Sequence, residues 1–434
     1  MNYRKNIERE EKFDVVVIGG GVAGFTAAVA AARNGAKTAL LEEGGALGGI
    51  LTAGGNPQIG IFYAYYRPVI AGIGWELCKN LEKQGFARIP DFAHYDTRQG
   101  GIGSNVQISR AMAEAEMVEM CLAAGVKLCF HTKVVDVIKE KDRVLSVVAA
   151  DEEGLKLCFA KTFIDATGDG DVAVFAGASY QKSDVLQPGT FGYTFSFTGD
   201  LPKEEKLRAD FQKRRESGEI EHGDFWPEYH APIGNFFREG GDNANHVVMD
   251  ASSAESQSEA EVEGRRKMAR MLRFASSETP ITVYPPASYT APRESRRIVG
   301  DYMLTKEDFL TGRLFEDSLS YGYYNIDLHT NVKGHALAGQ SLPDGVVPAI
   351  PYRSLIVKGL ENLLVAGRCA SFDREVMSAL RVKASCMGMG EVCGTAAALC
   401  ENGEVRKVDL HRLKKTLTAA GAIVPSADLF PPAE

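Results

Sequence analysis

The amino-acid sequence predicts an α/β fold in which a Rossmann-like domain, built on a central parallel sheet and a β-meander, carries an inserted α+β domain. Three stretches predict it: a glycine-rich βαβ unit at residues 13–42, an apolar strand ending in glycines and acids at 162–171, and a similar strand at 362–368. The region between the last two contains short β segments and charged helices. Because the chain then returns to a strand-and-glycine pattern, we interpret that region as an insertion.

The first stretch has the order strand, turn, helix, strand. Its β-branched run suits a strand buried on both faces, and its alanine-rich helix ends at a glycine. In the turn, Gly19 permits the tight bend, Gly21 admits a pyrophosphate close to the backbone, and Gly24 lets the helix pack on the strand. The helix N-terminus offers free N–H groups to phosphates. Glu42 closes the second strand at the spacing of an acid that binds a ribose hydroxyl, so the unit predicts a dinucleotide site.

Later segments extend this domain. Glycines crowd the loop at 44–55, which leaves the strand end where doubly wound sheets bind ligands, so we expect it to contact a cofactor. A third parallel strand is predicted at 126–130. Three short strands separated by charged turns predict the β-meander, at 134–138, 144–149 and 155–160.

The predicted domain organisation has four parts. Residues 12–180 form the first part of the nucleotide-binding domain, 181–350 the inserted substrate domain, 351–400 the second part, and 401–434 a C-terminal helix and tail. A helix predicted at about 380–400 contains three glycines, which would weaken it in isolation. They are explained if this helix packs tightly on a neighbour or begins against a ligand.

Composition limits the class of protein. The 434-residue chain has a formal net charge of −8, which disfavours a nucleic-acid partner. The basic clusters at 213–215 and 265–267 stand among acids and are interpreted as solvated helix faces. Eight cysteines without a Cys-x-x-Cys pair indicate neither a zinc site nor a dithiol centre, and no metal is predicted. No segment resembles a signal peptide or a membrane span, so we expect a cytoplasmic protein without a membrane partner.

The three motifs together resemble those of two-domain FAD-dependent flavoproteins of the glutathione reductase and fumarate reductase type. The likeness is closer to bacterial FAD-dependent oxidoreductases that carry an Arg-Glu-Ser-Arg-Arg segment before an Asp-x-His segment, here at 293–297 and 327–329. It extends over residues 13–399. The resemblance implies that the nucleotide-binding domain binds FAD and that the protein is an oxidoreductase.

The resemblance also implies a set of FAD contacts. The first turn would hold the pyrophosphate, Glu42 the adenosine ribose, and the backbone of Val134 the adenine. Gly48 and Gly49 would lie along the diphosphate and the flavin edge. Gly367 and Arg368 would flank the ribityl chain, and the last long helix would point its N-terminus at the pyrimidine end of the flavin, where reduced flavin carries negative charge. The implied cofactor residues are Gly19, Gly21, Val22, Ala23, Gly24, Glu42, Glu43, Gly48, Gly49, Val134, Ala166, Thr167, Gly168, Asp169, Gly367 and Arg368.

Four residues are candidates for catalysis. Arg293 and Arg296 belong to the densest arginine cluster of the insertion, and guanidinium groups suit a carboxylate or another planar oxyanion; the alternative is a salt-bridged surface. Arg381, near the start of the last long helix, would neutralise reduced flavin or orient substrate, with Lys383 a lesser candidate. His329 would exchange protons near neutral pH, although a lone histidine is more often a hydrogen-bonded core residue. The remaining histidines considered, which have no partner pattern and are taken as structural, are His94, His131, His222 and His230.

We expect an FAD-dependent oxidoreductase that passes a hydride between flavin N5 and a polar or anionic small molecule. Two alternatives stay open: a flavoprotein-fold enzyme without net redox chemistry, resembling thiazole synthases or tRNA-modifying flavoproteins, and a non-catalytic FAD-binding protein. The thiazole synthase reading lacks a recognisable sacrificial cysteine or metal-binding set, and the charge disfavours a tRNA-binding face. Since no second complete GxGxxG unit is visible, the electron donor or acceptor would be a carrier, free nicotinamide or oxygen. The sequence leaves that partner and any homo-oligomer undetermined.

Overall fold

The computed structural model describes residues 6–92, 105–226, 231–330 and 337–430, so His94 and His230 lie outside the described residues. None of the described helices is both long enough and apolar enough to cross a membrane. The α-helices are α1 (Val22–Arg33), α2 (Ile73–Lys83), α3 (Arg110–Ala123), α4 (Asp171–Phe175), α5 (Glu204–Glu216), α6 (Gly234–Arg238), α7 (Ala254–Glu278), α8 (Lys306–Thr311), α9 (Arg374–Leu380), α10 (Lys383–Leu399) and α11 (Leu410–Ala419).

The strands form several sheets of different size. In chain order they are β1 (Arg9–Lys12), β2 (Val15–Ile18), β3 (Thr38–Leu41), β4 (Gln58–Ile59), β5 (Tyr63–Ala64), β6 (Arg67–Pro68), β7 (Ala87–Arg88), β8 (Val106–Ile108), β9 (Lys127–Cys129), β10 (Lys133–Glu140), β11 (Arg143–Asp151), β12 (Gly154–Phe159), β13 (Thr162–Asp165), β14 (Tyr180–Gln181), β15 (Phe195–Phe197), β16 (Ile281–Val283), β17 (Arg297–Ile298), β18 (Ser318–Tyr321), β19 (Ile326–His329), β20 (Leu337–Gln340), β21 (Ala349–Pro351) and β22 (Leu363–Val365).

The centre of the fold is a five-stranded sheet in the order β22-β13-β2-β3-β9, and every neighbouring pair in it is parallel. All residues of β2, β3 and β13 are buried, as expected for parallel strands covered on both faces. Each of the five strands lies where the sequence predicts a strand. The prediction of a Rossmann-like α/β fold is confirmed.

The β-meander is also present, because β10, β11 and β12 pair in antiparallel order. The sequence missed β1, which joins this sheet in parallel with β12. All four residues of β1 are charged, which gave no strand signal. Charged side chains are common on edge strands, and here Arg9 pairs with Asp151 at 2.7 Å.

Helix α10 packs closely along α1. A Cβ at Gly390 would lie 2.0 Å from the Ala23 carbonyl oxygen, and a Cβ at Gly394 would lie 2.0 Å from the Ala27 carbonyl oxygen. Only glycine permits this approach, so tight packing explains two of the glycines in the predicted helix. The predicted helix is α10, and α9 precedes it across a short break.

Apolar side chains form two cores. The first surrounds the central sheet, and the second consists largely of aromatic side chains of the insertion, including Phe191, Phe236 and Phe274. Apolar residues from Ile298 onward pack in the first core, although the sequence places them in the inserted domain. This packing favours an insertion that ends before Ile298, while the predicted domain limits stay a prediction.

Candidate active site

A cavity of about 1350 Å³ begins at the carboxyl ends of β2, β3, β13 and β22 and extends into the insertion. This is the edge at which doubly wound sheets bind ligands. Ligand pockets usually measure about 300–1000 Å³, so this cavity has room for a dinucleotide and a small second ligand. Every predicted cofactor residue except Gly24 lines it.

The turn between β2 and α1 forms one wall of the cavity. Gly19 has a φ of +95°, and a Cβ there would lie 2.6 Å from the Ala166 carbonyl oxygen. Gly21 is the N-cap of α1 without a side-chain cap, and a Cβ at this position would meet no atom within 4 Å. The first N–H groups of α1 are therefore open to an anion. Gly24 is buried in α1, with its Cβ position 1.8 Å from the Gly19 carbonyl oxygen, so it serves packing and its implied pyrophosphate contact is not supported.

Glu42 lies at the carboxyl end of β3. Its carboxylate accepts hydrogen bonds from the main-chain N–H groups of Gly20 (2.6 Å) and Gly44 (2.7 Å). Burial raises the pKa of Glu42, and the two N–H groups oppose that effect. The oriented carboxylate keeps lone pairs for a ribose hydroxyl, which is its predicted partner. Glu43 and Val134 also line the cavity.

The turn after β13 is held from behind by Asp165, which the sequence analysis did not single out. This buried carboxylate accepts hydrogen bonds from the Thr167 hydroxyl at 2.7 Å, the Thr167 N–H at 3.1 Å and the Ala173 N–H at 2.9 Å. Burial raises the pKa of Asp165 to about 6. Thr167 in turn accepts hydrogen bonds from the N–H groups of Gly170 and Asp171. The turn is thereby fixed with Gly168 on the cavity wall.

Asp169 and Arg368 join the ends of two neighbouring strands, β13 and β22. Arg368 Nη1 lies 2.7 Å from Asp169 Oδ1 and 2.9 Å from the Ser295 hydroxyl, which donates to Asp169. Burial lowers the pKa of Arg368, but the attraction of Asp169 outweighs it and the net shift is upward. Both charged residues line the cavity. Because Arg368 belongs to the returning chain and Asp169 to the first half of the cofactor domain, the pair connects these two parts.

The N-terminus of α10 also faces the cavity. Its N-cap, Val382, provides no side-chain cap, and Val382 and Lys383 both line the cavity. The Lys383 ammonium donates to Asn56 Oδ1 at 2.9 Å and to the Gln58 carbonyl oxygen at 2.7 Å. Burial lowers the pKa of Lys383 to about 7, against the attraction of Asp242. An uncapped helix N-terminus with a lysine favours negative charge at this wall.

Arg293, Arg381 and the carboxylate of Asp327 lie together at one part of the cavity, which we call the inner end. Arg293 is buried and donates to the Pro188 carbonyl oxygen and to Asn243 Oδ1, both at 2.8 Å. Burial, then the nearby Arg381, lowers the pKa of Arg293 to about 9. Arg381 Nη2 lies 3.3 Å from Asp327 Oδ2, while its Nε has no hydrogen-bond partner among the described residues. Within the described chain, no carboxylate comes within 4.0 Å of the Arg293 guanidinium.

His329, also at the inner end, has two side-chain partners and is not isolated. Its Nε2 lies 3.1 Å from Asp327 Oδ2, and its Nδ1 lies 3.0 Å from His246 Nε2. His246 stacks on Trp226, with ring centroids 4.9 Å apart and planes 6° from parallel. Burial, then Arg293, lowers the pKa of His329 to about 4, so the ring is neutral near pH 7. Because an ionised carboxylate only accepts, His329 carries its hydrogen on Nε2, and its Nδ1 faces His246 Nε2.

Arg296 and Arg297 do not line the cavity. The guanidinium of Arg296 pairs with Asp171, and that of Arg297 pairs with Glu294 at 3.0 Å. Both arginines are therefore paired with carboxylates of the protein. A salt-bridged role was the alternative that the sequence left open. The predicted catalytic role of Arg296 finds no support in this placement, whereas Arg293, His329 and Arg381 come together as predicted candidates.

Comparison with known families decides the class of protein. A profile of the family described as FAD dependent oxidoreductase matches residues 14–417. The chain belongs to this family. The match runs from the first strand of the cofactor turn through the insertion to α11, and FAD is the cofactor.

The chain is also similar to curated tRNA uridine 5-carboxymethylaminomethyl modification enzymes (MnmG). It is 35% identical to that of Aquifex aeolicus over 32% of this chain, and 32% identical to that of Zymomonas mobilis over 36% of this chain. The matches span 22% and 25% of those relatives. The chain thus matches a quarter of their length at most.

Two solved structures are similar to this chain at low identity. One is a geranylgeranyl bacteriochlorophyll reductase-like protein from Thermoplasma acidophilum, with 14% identity, 97% of this chain and 85% of that chain covered, and a TM-score of 0.42. The other is quinol fumarate reductase of E. coli, with 14% identity, 95% of this chain and 74% of that chain covered, and a TM-score of 0.42. Neither similarity is close enough to indicate a substrate.

The residues of the cavity fit FAD. Two uncapped helix N-termini, those of α1 and α10, open on the same cavity, and no side chain fills the space beside Gly21. They suit the two parts of FAD that carry or develop negative charge, the pyrophosphate and the reduced flavin. Glu42 offers acceptors to a ribose, and Arg368 is held at the wall between the strand ends. The individual contacts of the cofactor residues stay predictions.

Sequence reasoning missed His246, Trp226, Asn243 and Asp242. His246 lies 83 residues from His329, with no motif or periodic pattern around it. Contacts between residues so far apart arise from the tertiary fold, and the short Asp-x-His segment was the only local signal of this site. Within the described residues, no group of three or more His, Cys, Asp and Glu side chains is placed to hold a metal ion.

Proposed function

We propose that the protein transfers a hydride between the flavin of FAD and a carbon atom of an anionic small molecule. The charge at the inner end of the cavity carries the proposal. Among the described residues there, the guanidiniums of Arg293 and Arg381 share one carboxylate, Asp327, and Arg381 alone pairs with it directly. An anionic substrate would complete the charge balance.

The cost of burying charge supports this assignment. An ion removed from water loses several kcal/mol of solvation unless counter-charges and hydrogen bonds compensate. Arg293 has two neutral acceptors, and its lowered pKa of about 9 reflects incomplete compensation. Arg381 keeps an unpartnered Nε. A carboxylate or another planar oxyanion between the two would supply what both lack, with the geometry that guanidinium groups favour.

Asp327 and His329 are placed to take up a proton. Both line the cavity, while His246 does not line it and contacts His329. Neutral His329 would accept the proton at Nδ1 when the substrate is oxidised, and Asp327 would stabilise the resulting imidazolium. A proton taken up at Nδ1 would lie between this nitrogen and His246 Nε2, which are 3.0 Å apart, so the two rings act together.

Each part of the site then has one task. Bound FAD supplies the group that accepts or donates the hydride. Arg293 and Arg381 bind and orient the anion, and Asp327 with His329 holds the proton. Lys383 and the N-terminus of α10 favour negative charge at the adjoining wall.

Anaerobic bleaching of the flavin by matched pairs of small molecules tests the proposal. Each pair consists of a carboxylic acid and its neutral amide, added to the oxidised holoenzyme. We expect an acid to bleach the flavin and its amide to fail. Arg293→Met should lower kcat/KM for that acid at least about 30-fold, the effect of losing a buried charge partner. Arg412→Met, at an exposed position outside the cavity, is the control. Equal bleaching by acids and amides would contradict the anionic substrate.

The same experiment separates the alternatives. A non-catalytic FAD-binding protein would keep its oxidised spectrum with every compound. The similarity to tRNA-modification enzymes covers about a third of this chain and a quarter or less of theirs, so it carries no activity over to this protein.

A further inference from the structure

Five polar side chains of the cavity lie together, and all of them except Lys383 have no task in the proposed hydride transfer. We call them the polar wall: Asn56, Gln58, Asn105, Asp242 and Lys383. They form two linked sets of hydrogen bonds. Asn105 Nδ2 donates to Gln58 Oε1 and Gln58 Nε2 donates to Asp242 Oδ2, both at 3.1 Å, while Lys383 donates to Asn56 and to the Gln58 carbonyl oxygen. The side chains are thus held in fixed orientations.

Within the described residues, the two charged members of the polar wall keep unused hydrogen-bonding capacity. In its ammonium form Lys383 has three donors, and two of them bond to acceptors among the described residues. A carboxylate has about four acceptor sites, and Asp242 accepts from the Gln58 side chain and the Asn243 main chain. Lys383 and Asp242 attract each other but form no direct ion pair within 4.0 Å in the described chain. A donor and an acceptor therefore face the cavity near each other.

The polar wall adjoins the inner end of the cavity, where the anion would bind. Arg381 is close enough to Lys383 to lower its pKa, and Arg293 is close enough to Arg381 to be affected in the same way. Arg381 is thus near both Arg293 and Lys383, and Asp242 is near Lys383. A small molecule with its anionic group at the arginines would extend toward the polar wall.

We propose that the polar wall binds hydroxyl groups, so that the substrate is a polyhydroxylated carboxylate of the sugar-acid class; this rests on the proposed function, which places the carboxylate at Arg293 and Arg381. A hydroxyl both donates and accepts, and so matches a neighbouring ammonium and carboxylate at once. An amine would also suit Asp242, but Lys383 beside it repels a second cation. An apolar chain would leave the free hydrogen-bond donors and acceptors of the polar wall without partners, which costs free energy in a buried site.

Calorimetric titration of the FAD-loaded protein tests the proposal without requiring turnover. The probes are gluconate, hexanoate with the same number of carbons and no hydroxyl groups, 6-aminohexanoate and neutral glucose. We expect gluconate to bind at least about tenfold more tightly than hexanoate, because two or more hydrogen bonds of ordinary strength are gained. Equal affinity of gluconate and hexanoate, or tighter binding of 6-aminohexanoate than of gluconate, would overturn it.

Substitutions distinguish the polar wall from the anion site. Asp242→Asn should weaken gluconate about tenfold and leave hexanoate unchanged or tighter, because a negative charge is removed from the cavity. Gln58→Ala is the second variant and should weaken gluconate alone. Asp200→Asn, exposed and outside the cavity, is the matched control. Retained flavin absorbance verifies that each variant is folded.

The outcomes for the two proposals differ. If Asp242→Asn lowers gluconate and hexanoate affinity equally, the wall does not recognise hydroxyls and the proposal fails, while the anion site stands. If glucose binds in an Asp242-dependent manner and neither carboxylate binds, the hydroxyl subsite is supported and the anionic substrate of the proposed function fails.

Discussion

The ion pair of Asp169 and Arg368 offers a test of how the two halves of the cofactor domain are held together. The side chains are only 16% and 9% exposed, and the closest atoms are 2.7 Å apart. Asp169→Ala would leave the Arg368 guanidinium buried without a counter-charge and would also remove the acceptor of the Ser295 hydroxyl. Breaking a buried pair in this way costs about 3–5 kcal/mol. We expect a loss of that size in the free energy of unfolding.

Urea unfolding at a fixed excess of FAD, followed by flavin fluorescence, measures this loss. Asp210→Asn is the control, because Asp210 and Lys206 form a pair with side chains 36% and 61% exposed, where such pairs contribute about 0–1 kcal/mol. The double variant Asp169→Ala with Arg368→Leu should recover part of the loss, since it leaves no unpaired charge. A loss below about 1 kcal/mol for Asp169→Ala, equal to the control, would refute the reasoning.

Three further substitutions have defined outcomes. Gly390→Ala should destabilise the protein by about 1–3 kcal/mol in urea unfolding, because its Cβ would lie 2.0 Å from the Ala23 carbonyl oxygen; greater stability would contradict the packing of α10 on α1. Burial raises the pKa of Glu391 to about 7 from an ordinary value of 4.5, so its contribution to stability is complete below pH 4.5 and is lost as the pH rises toward 7. Glu391→Gln should remove this loss of about 3 kcal/mol, and identical pH profiles of unfolding for both proteins would count against it. His246→Phe keeps an aromatic ring beside Trp226 but removes the bond to His329, so flavin reduction by a bleaching acid should slow about tenfold or more with FAD retained; an unchanged rate and pH profile would exclude the role of His246.

Local patterns were sufficient for the parts of the fold with short sequence separations. The cofactor turn follows from a strand, a glycine motif and a helix that are contiguous, and the apolar runs of β2, β3 and β13 are the signature of parallel strands. Strand β1 was missed because its pairing compensates for an unfavourable composition. Gly24 has the packing role that the motif predicts, because its Cβ position lies 1.8 Å from the Gly19 carbonyl oxygen.

The inner end of the cavity was only partly accessible from sequence. Arg293, His329 and Arg381 were identified by residue type, but their mutual arrangement depends on three separate segments of chain. Arg296 has the same residue type and sequence neighbourhood as Arg293, yet its guanidinium is paired with Asp171, the first residue of α4. The partner of His329 lies on the insertion. Burial and pairing separate binding residues from structural ones here, and neither is encoded in a local pattern.

The most direct test asks whether the FAD site and the inner end share one cavity. The holoenzyme is titrated with a simple carboxylate such as hexanoate, and the flavin absorption spectrum is recorded. We predict a saturable spectral change in the wild-type protein, about tenfold or more weaker binding in Arg293→Met, and no effect of Arg412→Met. A spectrum that no carboxylate perturbs, or an Arg293→Met variant that responds like the wild type, would contradict the account.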